Sequence, residues 1–334
     1  MQDISSAEFN AAIAAVESDT ATAGEKAEML MEIAMGMQSR LKSAQSLQRA
    51  VSLYEHALEL CPQDAPLLHA RITARLGTAL QAVPDGGSES LYRAQACFEG
   101  ALPVLNENGR PQETAETEMN LGLVLQALAG EGRARIQDAI QHYHRALRVF
   151  TCEAYAQEFA ILHNNIAIAY LSIPVGDERA KLREALAVQS FEEVLRVINI
   201  VDHPLEYAMV QNNLGNALQY ASSQHVVENN LRALQAYDEA LKVRSARDTP
   251  LEYANTLANK ANVLRNLPDD PAHPEAGQRA RLLEATRLYE EAKKIFTRFN
   301  QTGSAAIVEE ALHEVAAAFR PYASVQSGCD ATHF

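Results

Sequence analysis

The sequence predicts an all-α protein, a right-handed α-solenoid of stacked antiparallel helix hairpins. Three observations lead to this fold class: a small–aromatic–small stripe recurs along the chain, a small anchor residue precedes each stripe, and the anchors are evenly spaced. Steps of four and three residues place the members of a stripe on one helix face. A hairpin with one such face buries it only against a neighbour, so the units are expected to stack.

The stripe occurs six times, and each copy defines a second helix of a hairpin. The copies are Ala50/Tyr54/Ala57, Ala94/Phe98/Ala101, Ala139/Tyr143/Ala146, Ala187/Phe191/Val194, Ala233/Tyr237/Ala240 and Ala285/Tyr289/Ala292. The first-helix anchors are Gly77, Gly122, Ala167, Gly215 and Ala261, with Ala34 as a weaker sixth. Steps of 45, 45, 48 and 46 residues between the five firm anchors predict about six repeats plus capping helices.

These positions fix the helices and the domain organisation. First helices are predicted at 25–41, 65–82, 112–129, 155–172, 204–221 and 250–267, and second helices at 43–60, 88–105, 134–150, 180–199, 226–244 and 279–298. The interpretation is an N-terminal arm or cap over 1–24, a solenoid over 25–300, a C-terminal capping helix over 301–320 and a flexible tail over 321–334.

The two kinds of connection differ in length variation. From each stripe to the next anchor the distances are 20, 21, 21, 21 and 21 residues, which indicates a turn fixed by packing. From each anchor to its own stripe they are 16, 17, 17, 20, 18 and 24 residues, which indicates loops that tolerate insertion. These loops are 83–88, 130–133, 173–179, 221–225 and the Pro-rich 267–278, which is compatible with mobility.

Composition excludes several classes of protein. The sequence contains no run of about 18 apolar residues, so no membrane span is predicted, and the N-terminus lacks the pattern of a signal peptide. Four scattered cysteines without a C-x-x-C pair are typical of a reducing cytoplasm. A net charge of −14 would repel phosphate backbones, so nucleic acid is not expected as a partner, whereas a basic or mixed-charge protein is compatible with it.

The pattern Leu-Gly-x-x-Leu followed by Ala-x-x-x-Phe/Tyr-x-x-Ala resembles the tetratricopeptide (TPR) repeat over roughly residues 25 to 300. The period is about ten residues longer than the usual ~34, and the Trp that often opens the first helix is absent. The long period and the phrase Asn-Asn-Leu-Gly-Asn-Ala are similar to the kinesin-light-chain-like repeats of bacterial proteins. HEAT repeats have a similar period, but the small–aromatic–small stripe favours TPR.

The resemblance implies that the first helices line a concave groove, and it places an amide-rich set of side chains there. The predicted peptide-binding residues are Arg71, Arg75, Asn120, Gln126, Asn165, Asn213, Asn216, Asn259, Asn262 and Arg265. An amide offers a donor and an acceptor, which suits the backbone of an extended peptide. In the kinesin-light-chain-like repeats the matching Asn holds ligand backbone, and the same role is implied here. The alternative is that each Asn ties one hairpin to the next through backbone hydrogen bonds.

Charged and metal-binding groups give weaker signals. Arg71 and Arg75 lie one turn apart and could bind one acidic group, although a solvated face is the simpler interpretation. The Lys positions of the TPR type that clamps a C-terminal carboxylate are not Lys here. Cys329 and His333 fall in the tail, where a metal site is not favoured. We find no catalytic, cofactor or metal motif, so an enzyme is not expected.

The function expected from the sequence is a cytoplasmic, non-enzymatic protein- or peptide-binding scaffold or adaptor, which includes a chaperone-like assembly or maturation factor for a client protein. The alternative from another class is a regulatory protein that senses a small ligand or a signal peptide. The scaffold hypothesis predicts that a protein partner can be isolated with the chain, whereas the sensor hypothesis does not. Resemblance of fold does not distinguish between these two functions.

Overall fold

The fold comes from a computed structural model, which describes residues 13–16, 18, 20–40, 44–83, 87–173, 180–221 and 225–319. Within these ranges the regular structure is helical and no β-strand occurs. The α-helices are α1 Ala23–Arg40, α2 Ala44–Leu60, α3 Pro66–Ala82, α4 Gly87–Asn108, α5 Pro111–Gly130, α6 Ile136–Ala146, α7 Ala156–Ser172, α8 Ala180–Leu195, α9 Pro204–Tyr220, α10 Val226–Leu241, α11 Pro250–Arg265, α12 Arg279–Arg298 and α13 Thr302–Ala318.

The chain forms two compact units, residues 1–155 and 156–334. In the first unit α1/α2, α3/α4 and α5/α6 are the hairpins, and in the second α7/α8, α9/α10 and α11/α12 are followed by α13 against α12. Consecutive helices pack on one another throughout each unit. The predicted all-α fold class of stacked helix hairpins is therefore confirmed.

The predicted stripe forms the interior of every hairpin. All six aromatic rings are buried, and so are the small residues that flank them. A buried ring of this size contributes on the order of 2–3 kcal/mol relative to an exposed one. Tyr54, Phe98, Tyr143, Phe191, Tyr237 and Tyr289 are thus the repeated anchors of the core.

The anchor residue is small because a ring lies directly against it. A Cβ added to Gly122 would lie 2.5 Å from Cε1 of Tyr143, and one added to Gly215 would lie 2.6 Å from Cε1 of Tyr237. Real Cβ atoms do not approach so closely, so a methyl group here forces the buried ring to move. In the hairpins whose anchor is Ala34, Ala167 or Ala261 the helices leave room for that methyl group, and all three alanines are fully buried.

Three second helices end earlier than predicted, at Ala146, Leu195 and Leu241. The chain leaves each helix in a tight turn, as in the hydrogen bond of 3.0 Å from the Phe150 N–H to the Ala146 carbonyl. Phe150 and Ile198 follow these ends and are buried. The turn therefore returns an apolar side chain to the core, which the helix-only prediction missed.

The connections of constant length are stabilised by side chains within the turn. The side-chain oxygen of Asn199 accepts hydrogen bonds from the N–H groups of Val201 and Asp202, at 2.9 and 3.0 Å. In the next connection the hydroxyl of Ser245 accepts the Asp248 N–H at 3.0 Å. These local bonds hold the chain until a proline opens the following first helix, as at Pro204 and Pro250.

The long connection after α11 is held at its base by Asp269. Its carboxylate accepts the N–H groups of Ala280 and Arg281 at 3.1 and 3.0 Å and so caps α12. Its own N–H donates to the Gly277 carbonyl at 2.6 Å and closes the loop. Among the other predicted variable loops, residues 84–86, 174–179 and 222–224 lie outside the described residues, as do residues 1–12 of the predicted arm and the predicted tail from 320 onward.

Candidate ligand-binding face

All ten residues predicted to contact a peptide lie on first helices. They are distributed over α3, α5, α7, α9 and α11, and each of them is buried or partly exposed. The structure shows what each side chain contacts within its own unit. The two units use different chemistry for the same task of tying consecutive first helices together.

In the first unit, guanidinium–carboxylate pairs join α3 to α5. Arg71 donates through Nε and Nη2 to Glu113 at 2.9 and 3.2 Å, and Arg75 donates through Nη1 and Nη2 to Glu116 at 2.7 and 3.3 Å. Both contacts are bidentate, the stronger arrangement of this pair. Asn120 adds a longer bond of 3.4 Å to the Thr78 hydroxyl.

Glu113 is the most strongly anchored of these acids. Partial burial alone would raise its pKa, but the Arg110 backbone N–H at 2.8 Å and the guanidinium groups of Arg71 and Arg110 outweigh this and lower the pKa to about 2. The carboxylate also occupies the N-terminal turn of α5, where negative charge is favoured. It therefore stays charged and ties α3 to α5 over most of the pH range.

In the second unit, a chain of side-chain amides joins α7, α9 and α11. Asn213 donates to the side-chain oxygen of Asn164 at 2.6 Å and accepts from Asn212 at 3.2 Å. The side-chain oxygen of Asn212 accepts in turn from the Thr256 hydroxyl at 3.1 Å and from Asn259 at 3.4 Å. We call Asn164, Asn165, Asn212, Asn213, Thr256 and Asn259 the amide chain.

Four members of the amide chain are buried, and the other two, Asn213 and Asn259, are partly exposed. Asn164, Asn165 and Asn212 are all more than nine-tenths buried, and Thr256 is fully buried. Arg244, which follows α10, donates to the Thr256 hydroxyl at 2.7 Å and to the Glu252 carbonyl at 3.3 Å. Arg244 occupies the place that Phe150 and Ile198 take after earlier second helices. A charged donor therefore replaces an apolar side chain at the α11 end of the chain.

Asn165 ends the amide chain on α7. Its side-chain oxygen is 3.4 Å from the Asn164 nitrogen, and its own side-chain nitrogen has no hydrogen-bond partner within the described residues. An unpaired buried amide group costs about 1–3 kcal/mol. Asn165 is thus the one member of the amide chain with an unmet donor in the part of the chain that the structure describes.

A second pattern fixes the amides nearer the exposed side of the first helices. Tyrosines of the buried stripe donate their hydroxyls to these amides: Tyr143 to Gln126 at 2.9 Å, Tyr237 to Asn216 at 2.8 Å with Gln219 as a second acceptor at 3.2 Å, and Tyr289 to Asn262. Tyr54 and Gln38 repeat the arrangement at 2.5 Å. Burial raises the pKa of Tyr54 and of Tyr143, so both remain hydroxyl donors.

This pattern leaves the amide NH2 groups as the side that can bind a ligand. Each of Gln126, Asn216 and Asn262 uses its oxygen for a tyrosine and is partly exposed, and its NH2 group donates no hydrogen bond within the described residues. Arg265, by contrast, pairs with Glu314 of α13. The face therefore offers donors, which match carbonyl oxygens.

Two of the linking residues, Asn164 and Asn212, were not predicted from the sequence. Each immediately precedes a predicted residue in the doublets Asn164-Asn165 and Asn212-Asn213, so the doublet itself was the available signal. The acids Glu113 and Glu116 were also missed. The alternative prediction was that each Asn ties one hairpin to the next through backbone hydrogen bonds. In the structure, the hydrogen bonds that link the first helices run between side chains.

Two further properties concern the described residues alone. None of their helices combines the length and the apolar character that crossing a membrane requires. No group of three or more His, Cys, Asp and Glu side chains among them is placed to hold a metal ion.

Comparison with known proteins finds similarity among solved structures. No family model matches the chain, and no curated protein matches its sequence. Among solved structures, the chain is similar to BtubC (BKLC) from P. vanneervenii, with 20% identity over 72% of this chain and 89% of that one and a TM-score of 0.49. It is also similar to a Rap protein complexed with Competence and Sporulation Factor, with 12% identity over 93% and 79% and a TM-score of 0.47. At these values neither similarity says anything about function.

Proposed function

We propose that this chain is a non-enzymatic scaffold or adaptor of the TPR type, which holds an extended segment of a partner protein against its first helices in the cytoplasm. The single observation that carries the proposal is the row of amides whose oxygens are held by buried tyrosines. Asn216 and Asn262 are the members of this row in the second unit.

The chemistry of the row suits a peptide backbone. A carbonyl oxygen of an extended segment can accept one amide N–H, and each such bond contributes about 0.5–1.5 kcal/mol. The tyrosine fixes the amide before the ligand arrives, so little side-chain entropy is lost on binding. A row of uncharged donors contacts only the backbone of the ligand, so any preference for a ligand sequence comes from contacts of the ligand's side chains.

The other predicted residues have different proposed roles. Asn213 and Asn259 belong to the amide chain and would hold the first helices in position. The side-chain nitrogen of Asn165 is buried, so its contact with a peptide stays a prediction. Arg71, Arg75 and Arg265 already pair with carboxylates. Contact between these arginines and a peptide stays a prediction, as does the role of Asn120. A client whose assembly requires an extended segment to be held is the kind of partner that fits.

The test is binding of an arrayed library of extended peptides to the full chain and to Asn216→Asp/Asn262→Asp. Each aspartate keeps an oxygen for the tyrosine hydroxyl but removes the two N–H donors. We expect peptides that bind the wild type to bind the variant about tenfold more weakly.

A matched control is Gln235→Glu/Gln301→Glu, which adds the same two charges at exposed positions of the same unit. It should bind as the wild type does. Equal binding by all three proteins, or equal weakening in both variants, would overturn the proposal.

A further inference from the structure

A hydrogen-bonded pair covers the same position in two hairpins of the second unit. The hydroxyl of Tyr207 on α9 donates to Glu239 on α10, and that of Tyr253 on α11 donates to Glu291 on α12, both at 3.0 Å. Each tyrosine lies eight residues before the anchor, and each glutamate lies two residues after the buried ring. We call this arrangement the Tyr–Glu cover.

The hairpin α3/α4 has neither member of the cover, and the same is true of α1/α2 and α5/α6, where the corresponding residues are Lys26 and His56, and Thr114 and Arg145. The residue eight before Gly77 is His69, and the residue two after Phe98 is Gly100. Both are exposed, whereas all four residues of the two covers are partly buried. A glycine in the middle of a helix costs roughly 0.5–1 kcal/mol relative to alanine, so Gly100 is unfavourable for the helix itself.

An open cavity of about 520 Å³ lies where the cover is missing. His69 and Gly100 line it together with Cys61, Pro62, Pro66 and Val104. A Cβ added to Gly100 would meet no atom within 4 Å, so the space extends to the backbone of α4. The cavity therefore lies at the position that a phenol and a carboxylate occupy in the hairpins α9/α10 and α11/α12.

The chemistry of the walls favours an aromatic occupant. Pro62, Pro66 and three aliphatic side chains make up five of the eleven lining residues, and this apolar part of the wall suits a flat ring. His69 Nδ1 lies 3.4 Å from the Thr73 hydroxyl, and Nε2 has no hydrogen-bond partner within the described residues. A carboxylate would instead meet Glu59, which also lines the cavity, in a chain of net charge −14.

We propose that this cavity binds an aromatic side chain of a partner protein, with a tyrosine hydroxyl hydrogen-bonded to the imidazole of His69. The partner's ring replaces the tyrosine that the α3/α4 hairpin lacks and covers the exposed backbone at Gly100. The lining comes from the α2–α3 turn, α3 and α4, so this surface differs from the row of amides and does not depend on the proposed peptide binding.

The experiment uses 4-methylphenol, the side-chain analogue of tyrosine, with the full chain labelled with ¹⁵N. We expect saturable shifts of the Cys61, Gly100 and Val104 amide signals with a dissociation constant on the order of 1–10 mM, as is usual for so small a ligand. Toluene should bind more weakly, and propionate should bind least. Tighter binding of propionate, or no shift with 4-methylphenol, would overturn the proposal.

Two variants test the origin of the cavity. His69→Tyr/Gly100→Glu rebuilds the cover and should weaken 4-methylphenol binding at least about tenfold. Tyr207→His/Glu239→Gly removes a cover from the second unit and should add a second binding site at that hairpin. Circular dichroism checks the fold, and Gly100→Glu alone serves if the first double variant unfolds. If the folded variant His69→Tyr/Gly100→Glu binds 4-methylphenol as tightly as the wild type does, the assignment of the cavity is contradicted. Peptide binding to the first helices should be unchanged in this variant.

Discussion

The two units brace their first helices with different chemistry. The first unit uses the bidentate pairs Arg71–Glu113 and Arg75–Glu116, with arginine side chains that are about one-third exposed. The second unit uses the largely buried, uncharged amide chain centred on Asn212. Since charged pairs respond to salt and pH and neutral amides do not, the same architecture should respond differently in its two units.

The hairpin interior is common to both units, so it should produce the largest effect and the same one in each. Gly122→Ala and Gly215→Ala each place a methyl group within 2.6 Å of a buried tyrosine ring. We expect each to lower the free energy of unfolding of its unit by about 2–3 kcal/mol. Hydrogen exchange followed by mass spectrometry assigns the loss to α5/α6 or to α9/α10. Gly130→Ala, where an added Cβ meets no atom within 4 Å, is the matched control.

The next largest effect should separate the units. Asn212→Ala removes the acceptor of Thr256 and Asn259 from a buried site, which should cost about 1–3 kcal/mol. Faster hydrogen exchange is expected in α9 and α11 and not in residues 44–130. Arg75→Ala, its counterpart in the first unit, should cost about 1 kcal/mol or less because that pair is partly solvated. Equal costs would contradict the distinction between the two braces.

Acid should weaken the first unit through Glu113. Its pKa is about 2 in the folded chain against an ordinary value of 4.5, so its contribution is present above pH 4.5 and is lost as pH falls from 4.5 to 2. Allowing for solvent around Arg71 and Arg110, we expect a loss of about 1–2 kcal/mol. Urea unfolding of the wild type and of Glu113→Gln at several pH values measures it. The variant should lack this part of the pH dependence, and identical profiles would refute the role of Glu113.

Salt should give the smallest effect. Raising the concentration of sodium chloride from about 0.1 M to about 1 M screens exposed ion pairs and should destabilise the α3–α5 contact by about 0.5 kcal/mol or less. The amide chain should be unaffected. Hydrogen exchange at the two salt concentrations compares α3 with α9 in one experiment. A greater increase of exchange in α9 than in α3 would contradict this prediction.

Much of the fold could be predicted because the core repeats. The stripe recurs six times and the connection of constant length five times, and Tyr143 or Tyr237 can be placed from the pattern alone. The contact between Gly122 and the Tyr143 ring follows from the same reasoning.

The contacts between first helices were harder to predict. Arg71 and Glu113 are 42 residues apart, and whether they meet depends on the crossing of α3 and α5, which no local spacing determines. Within the doublet Asn212-Asn213, both side chains take part in the links, and their side-chain torsions decide which atoms meet. The position of His69 and Gly100 could not be singled out from the sequence, because only two of the six hairpins have the Tyr–Glu cover, and the structure is needed to show the cavity there.

The central claim is that tyrosine-held amides on the first helices present their NH2 groups to the backbone of a partner. The most direct measurement is an NMR titration of the side-chain NH2 signals with the peptide that binds the array most strongly. Shifts of Asn216 and Asn262 are the predicted result. Shifts confined to residues of the second helices, with those two signals unmoved at saturation, would contradict it.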